Sequence, residues 1–286
     1  MVMWTVSTNR SSEGFTMSEQ TVPSQYTTGR SRAGIEQAFV AAGKKLDELQ
    51  AADLAMLEDY HTGGRLATMQ LADLAGISAD SAVLDAGAGI GGTARYVASR
   101  FGCRVTAVDL SAEYCEIAGW LDQLVDLDNR IDVRQGDVTA LPVADSSYDV
   151  VFSQHVQMNV AAKDLLYREA RRVLKPGGRL AVWDICTGDR GELDYPLPWA
   201  DVPEHTHLIT PPALRAAIEA AGLTVGRWSD LTEQVAAMMR MIQSQPPGPL
   251  GLHAFVPNFR ERLDNLVDAL SDGRLRAIQA VGLVSP

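Results

Sequence analysis

Between residues 82 and 185 short apolar runs alternate with longer segments of helical periodicity, and this rhythm restricts the fold more than any other feature. Val83-Leu84, Arg104–Val108, Ile131–Val133, Tyr148–Phe152 and Arg179–Trp183 read as strands, with helical stretches near 93–100, 112–126 and 163–174. Strands joined by a helix rather than a tight turn run parallel, so the pattern predicts an α/β chain with helices on both faces of the sheet. Lys175-Pro-Gly-Gly178 separates a helix from a strand, because Pro cannot continue the helix and Gly accepts positive φ. Beyond Ile185 the rhythm gives way to a loop containing Pro and His. A helix near 212–221 follows, then a strand near Thr224–Trp228, mixed helix and loop over 231–270, and a last strand over Arg274–Val284. The expected sheet is doubly wound and seven-stranded, with an antiparallel last strand.

The expected organisation is an N-terminal tail (1–30) and one domain (31–286). That domain comprises N-terminal helices (31–76), a ligand-binding core (77–185), a helical cap with loops and the sixth strand (186–270), and the final strand (271–286). The tail is Ser/Thr/Gln-rich and aperiodic, mobility is expected as far as Glu19, and Met17 is an alternative start. A chain of 286 residues that is 46% apolar can bury a full core. The net charge of −11 opposes nucleic-acid binding and attraction to anionic membrane. No apolar run approaches the roughly 20 residues of a spanning helix. Met1–Val6 is too short for a signal segment, and Cys103, Cys115 and Cys186 form no C-x-x-C. A reduced, cytoplasmic protein without a metal follows as the expectation, with oligomeric state open.

Asp85-Ala-Gly-Ala-Gly-Ile-Gly-Gly92 joins the first strand to the first crossover helix. Gly87, Gly89 and Gly92 stand in the G-x-G-x-x-G register of a Rossmann-like dinucleotide site. Asp85 argues against that ligand, since a carboxylate at the turn repels a pyrophosphate. It suits a nucleoside with a positive end, which S-adenosylmethionine supplies as ammonium and sulfonium. At the second strand tip Asp109 is placed to accept two ribose hydroxyls, with Leu110 covering an adenine face. At the third, Asp137 and Val138 offer a carboxylate and a backbone N–H to the base. Taken singly, Asp109 and Asp137 read equally well as turn or helix caps; three acids on successive strand ends favour a ligand.

In these residues the chain resembles the class I S-adenosylmethionine-dependent methyltransferases, over about 55–185. The motifs concerned are Val83–Gly89, Val108-Asp109, Gly136–Pro142, Asp145–Asp149 and Leu174–Gly178. The resemblance implies S-adenosyl-L-methionine as donor, S-adenosyl-L-homocysteine as product, and Gly87, Gly89, Asp109, Asp137 and Val138 as lining residues, with Ser153 added on the donor side. Glu58–Arg65 resembles the segment closing over the methionine end, where Arg65 either pairs with the methionine carboxylate or is simply solvated.

Phe152–Asn159 ends the fourth strand beside the expected methyl group, making Gln154 and His155 the candidate catalytic pair. This segment, Tyr195–Ala200 and Pro246–Leu252 resemble a subgroup that includes bacterial fatty-acid O-methyltransferases and glycine/sarcosine/dimethylglycine-type N-methyltransferases. A carboxylate acceptor needs alignment but no base, whereas an amine or phenol must lose a proton. The apolar residues of 196–255, with Trp199, Met238, Met241 and Phe255 as candidate substrate contacts, favour an apolar acid such as a medium-chain fatty acid. An amine or another apolar natural product is the alternative. Tyr26 is a candidate lid residue. His205-Thr-His207 lacks a third ligand at metal-site spacing and reads as a loop pair.

Overall fold

A computed structural model describes residues 26, 28–58 and 61–286. Seven strands form one sheet: β1 (Ala82–Ala86), β2 (Arg104–Asp109), β3 (Ile131–Gln135), β4 (Tyr148–Gln154), β5 (Leu174–Thr187), β6 (Thr224–Asp230) and β7 (Leu275–Leu283). Their order is β3-β2-β1-β4-β5-β7-β6. Five strands pair in parallel, and β7 lies antiparallel between β5 and β6. The expected doubly wound sheet with an antiparallel last strand is therefore present. Strand order reverses between β1 and β4, and at such a reversal the crossovers diverge and leave a crevice beyond the carboxyl ends of the strands.

Side-chain alternation divides the sheet into two buried layers. Val83, Val150, Phe152, Ala181 and Trp183 face one core, with Leu71 from α3 (Gly64–Ala75) and Val97 from α4 (Gly92–Phe101). Helices α8 (Thr232–Gln243) and α9 (Phe259–Asp272) complete that layer through Val235, Leu266 and Leu270. Leu84, Val151, Leu180 and Val182 face the other, covered by α6 (Lys163–Val173) and α7 (Pro211–Ala220).

A third core has no place in a bare doubly wound sheet. Ile35 and Phe39 of α1 (Ser31–Ala41) pack on Tyr114, Ile117 and Leu121 of α5 (Ala112–Leu124), together with Phe255 and Val256. The approach is close: a Cβ on Gly34 would lie 2.1 Å from the carbonyl oxygen of Ala254. The short helical turn α2 (Ala55–Glu58) adds Leu57 to this core. Glu113, in the first turn of α5, draws the chain entering α1 into place. Its carboxylate accepts the N–H of Gly29 at 2.8 Å, the N–H of Ser31 at 3.2 Å and the Thr28 hydroxyl at 3.4 Å. These donors hold the carboxyl below its usual range despite partial burial. The end of the expected tail, Thr28–Arg30, is thus docked, while Met17 and the stretch to Glu19 lie outside the described residues.

Candidate active site

A cavity of about 570 Å³ opens at the strand reversal, walled by the turn after β1, the ends of β2 and β4, and loops from the cap. The glycine turn forms its floor. Gly87 has φ 83° and a Cβ there would lie 2.4 Å from a Val156 methyl carbon, so no other residue fits. Gly89, at φ 56°, faces open space where a Cβ would project. The turn is held from behind by Arg95, which is fully buried. Arg95 donates to the Ile90 carbonyl and to Asp122 at 2.8 Å, tying the glycine turn to α5.

The predicted acids gather in this cavity. Asp109 accepts the N–H of Gly89 at 2.8 Å and of Ser111 at 2.9 Å, so it shapes the turn as well as facing the cavity. Burial pushes its carboxyl up to about 6, with the backbone donors of Ser111, Gly89 and Leu110 acting in the opposite direction. Asp85 is 2% exposed, and burial raises its carboxyl to about 7 against the pull of the Ala94 N–H. Its Oδ2 has no hydrogen-bond partner among the described residues. Asp137 accepts both the N–H and hydroxyl of Thr139 through Oδ1, the cap geometry weighed against ligand binding; it lines the cavity too, as do Leu110 and Val138. Tyr26 stands at the cavity with its ring edge-on to Tyr114, centroids 5.7 Å apart, and its carbonyl accepts the Ser111 hydroxyl at 2.8 Å.

At the end of β4, Gln154 and His155 reach the cavity wall, but the Gln154 amide and His155 Nε2 are already engaged. Gln154 Oε1 accepts the Thr93 hydroxyl at 2.8 Å, and its amide nitrogen lies 3.4 Å from both His61 Nε2 and Thr68 Oγ1. His155 adopts φ 55°, and its Nε2 accepts the backbone N–H of Thr62 at 3.2 Å. That donor fixes the tautomer, leaving the ring proton on Nδ1. Trp183 Nε1 donates to Thr62 Oγ1 at 3.1 Å, which in turn lies 3.0 Å from His155 Nε2. Burial and the neighbouring His61 hold His155 well below the ordinary imidazole range, in the neutral state.

The far side of the cavity comes from the cap. Pro198, Trp199 and Phe255 meet Met158, Val160 and Ala161, with Glu204, His205 and His207 at the mouth. Trp199 is anchored through Nε1 to the Thr206 hydroxyl at 2.8 Å. Four predicted residues lie away from the cavity lining. Arg65, near the start of α3, places its guanidinium 5.2 Å from the Tyr96 ring centroid. Ser153 is buried on the opposite strand face from Gln154. Met238 is half-buried with its methyl group beside Gly63, and Met241 is 63% exposed on α8. Sequence reasoning missed His61, Thr93, Tyr114, Met158 and Asn159 among the lining residues. His61 lies in the segment expected to close over the methionine end, four residues before Arg65. Among the described residues no three His, Cys, Asp or Glu side chains are grouped as a metal site.

Residues 84–182 match the family model described as a methyltransferase domain. The chain is 32% identical to methyltransferase GfsG of Streptomyces halstedii over 71% of each chain. It is 31% identical to a glycine/sarcosine/dimethylglycine N-methyltransferase of Actinopolyspora halophila, over 62% of this chain and 31% of that relative. Among solved structures, phosphoethanolamine N-methyltransferase 2 of Haemonchus contortus, bound to S-adenosyl-L-methionine, superposes with a TM-score of 0.68 at 20% identity. It covers 92% of this chain and 59% of its own, and shares the fold. The chain belongs to the S-adenosylmethionine-dependent methyltransferases. It acts on a small molecule, with S-adenosyl-L-methionine as methyl donor. The cavity fits that donor: an unpartnered buried carboxylate oxygen on Asp85, an open cradle at Gly89, and Asp109 at the second strand tip. No described helix is long and apolar enough to cross a membrane.

Proposed function

We propose that this enzyme methylates a hydroxyl oxygen on a largely apolar small molecule. One observation carries the reading: every Asp, Glu, Lys or Arg among the described lining residues is an acid, namely Asp85, Asp109, Asp137 and Glu204. Like charges repel strongly in a partly desolvated cavity. An anionic fatty carboxylate would enter against that field with no Lys or Arg among the described wall residues to receive it. Met238 and Met241 also lie away from the described cavity lining. The walls left for an acceptor, Met158, Val160, Pro198, Trp199 and Phe255, suit an apolar body carrying one polar group.

When bound, S-adenosyl-L-methionine supplies an electrophilic methyl on its sulfonium. Asp85 and Asp109 would hold its positive end and ribose, and Gly87 and Gly89 admit it to the backbone. His155, with its proton on Nδ1, is a hydrogen-bond donor that can orient an acceptor oxygen. Gln154, fixed at both ends of its amide, stiffens the wall. Holding the two reactants in line in a closed cavity contributes most of the acceleration, on the order of 7–11 kcal/mol at best. An amine is the second reading, favoured by Glu204 at the mouth and by the N-methyltransferase relatives.

The test is an S-adenosyl-L-homocysteine release assay across apolar alcohols and phenols, fatty acids of graded length, and glycine-type amines. Turnover confined to hydroxyl compounds is the expected result. Turnover of fatty acids alone would overturn the reading.

A further inference from the structure

Of the four histidines in the cavity, two have their ring lone pairs engaged. His155 Nε2 receives the Thr62 N–H, and His61 Nε2 lies 3.0 Å from the Thr68 hydroxyl and 3.4 Å from the Gln154 amide nitrogen. Neither is placed to take a proton from an acceptor. The remaining pair, His205 and His207, stands on the cap loop, and the two differ in how they are anchored. The His205 backbone N–H bonds within its own loop, to Val202. His207 is held on both sides to the segment that follows β4. Its N–H donates to the Met158 carbonyl at 2.8 Å, and its own carbonyl accepts from Lys163 Nζ at 2.6 Å.

Lys163 is an unusual staple. It sits at the first position of α6, where the helix dipole disfavours a cation. Its ammonium nevertheless donates to the carbonyls of Gln157 and Val160 as well as His207. Those three carbonyls come from two of the chain segments on that side of the cavity, so one charge fixes their spacing. Burial brings Lys163 down to about 8, with Asp184 acting to raise it. Partial burial and the neighbouring charges of Lys163 and His205 keep His207 below the ordinary imidazole range, which favours the proton-free form.

We propose that His207 is the general base of the reaction and that Lys163 is the positioning residue that holds it at the acceptor. The assignment rests on the reading of a hydroxyl acceptor. The acceptor oxygen forms a bond to the methyl carbon as the carbon–sulfur bond breaks, and that electron pair stays on sulfur as the thioether of S-adenosyl-L-homocysteine. The hydroxyl proton passes to the unprotonated ring nitrogen of His207 and is then lost to solvent at the mouth.

The experiment uses full-length enzyme with a series of apolar phenols of graded acidity. His207→Gln should lower kcat about a hundredfold or more on the least acidic phenols. The loss should shrink steadily as the phenol becomes more acidic and needs less help, while S-adenosyl-L-homocysteine affinity and melting temperature stay at wild-type values. Lys163→Met should raise the acceptor KM and lower kcat together, and Lys163→Arg should restore most of both. An equal loss on every phenol, or activity within threefold of wild type in His207→Gln, would overturn the assignment of the base while leaving hydroxyl methylation intact. Turnover of carboxylic acids alone would overturn both, since an ionised acceptor has no proton to give.

Discussion

Asp85 illustrates how one side chain can serve binding at the expense of folding. Its carboxyl is raised by burial to about 7, above the value of an unfolded chain near 4. A group raised in this way adds stability below the unfolded value, and that stability is lost as pH climbs through the folded one. At pH 8 the native protein therefore carries a buried charge with an unpartnered oxygen. Asp85→Asn should raise the melting temperature of the ligand-free protein at pH 8, by up to a few kcal/mol of unfolding free energy. The same variant should weaken S-adenosyl-L-methionine binding tenfold or more. Calorimetry should also show wild-type donor affinity increasing from pH 6 to 8, because the cation favours the ionised carboxyl. A flat profile would mean that Asp85 is already ionised at pH 6.

Among elements, the glycine turn and the entry to α1 are both held by charges reaching across the fold. Arg95–Asp122 is a fully buried pair whose guanidinium also serves the Ile90 carbonyl. Arg95→Leu strands Asp122 in the interior and should cost about 3–5 kcal/mol in urea unfolding. The double variant with Asp122→Leu should recover much of that loss. Glu113 is a lighter fastening, nearer the surface and holding three donors at the start of α1. Glu113→Ala should loosen the entry to α1 next to Tyr26 at the cavity and speed S-adenosyl-L-homocysteine dissociation roughly tenfold, measured by stopped-flow, with little change in melting temperature. None of this was visible in the sequence. Glu113 and Gly29 stand 84 positions apart, and nothing local in either predicts the meeting. Strands, in contrast, declare themselves within a few residues, so β1 to β5 and even the antiparallel β7 were legible from apolar runs and punctuation.

At the scale of the whole molecule, the half of the cavity at the strand ends was legible and the half opposite was not, for a topological reason. Asp85, Gly87, Gly89, Asp109 and Asp137 sit at consecutive strand ends, where the parallel fold itself dictates the rim they share. The opposite half is assembled from a turn after β4, a loop between β5 and α7, and Phe255 before α9. Which face of α8 turns inward depends on packing against α9 and β7, so Met238 and Met241 satisfied the composition of a substrate wall without belonging to one. Gln154 and His155 do line the cavity, yet their hydrogen-bond partners come from Thr62, Thr68 and Thr93 on distant elements, which changes what each side chain can do.

That division between a contiguous rim and a patchwork wall has an evolutionary corollary. On the proposed assignment, loop exchanges beyond residue 186 should retune which molecule is modified and leave the rim at the strand ends unchanged. Lys163, bonded to both sides of the patchwork, marks the seam where such grafts would have to match.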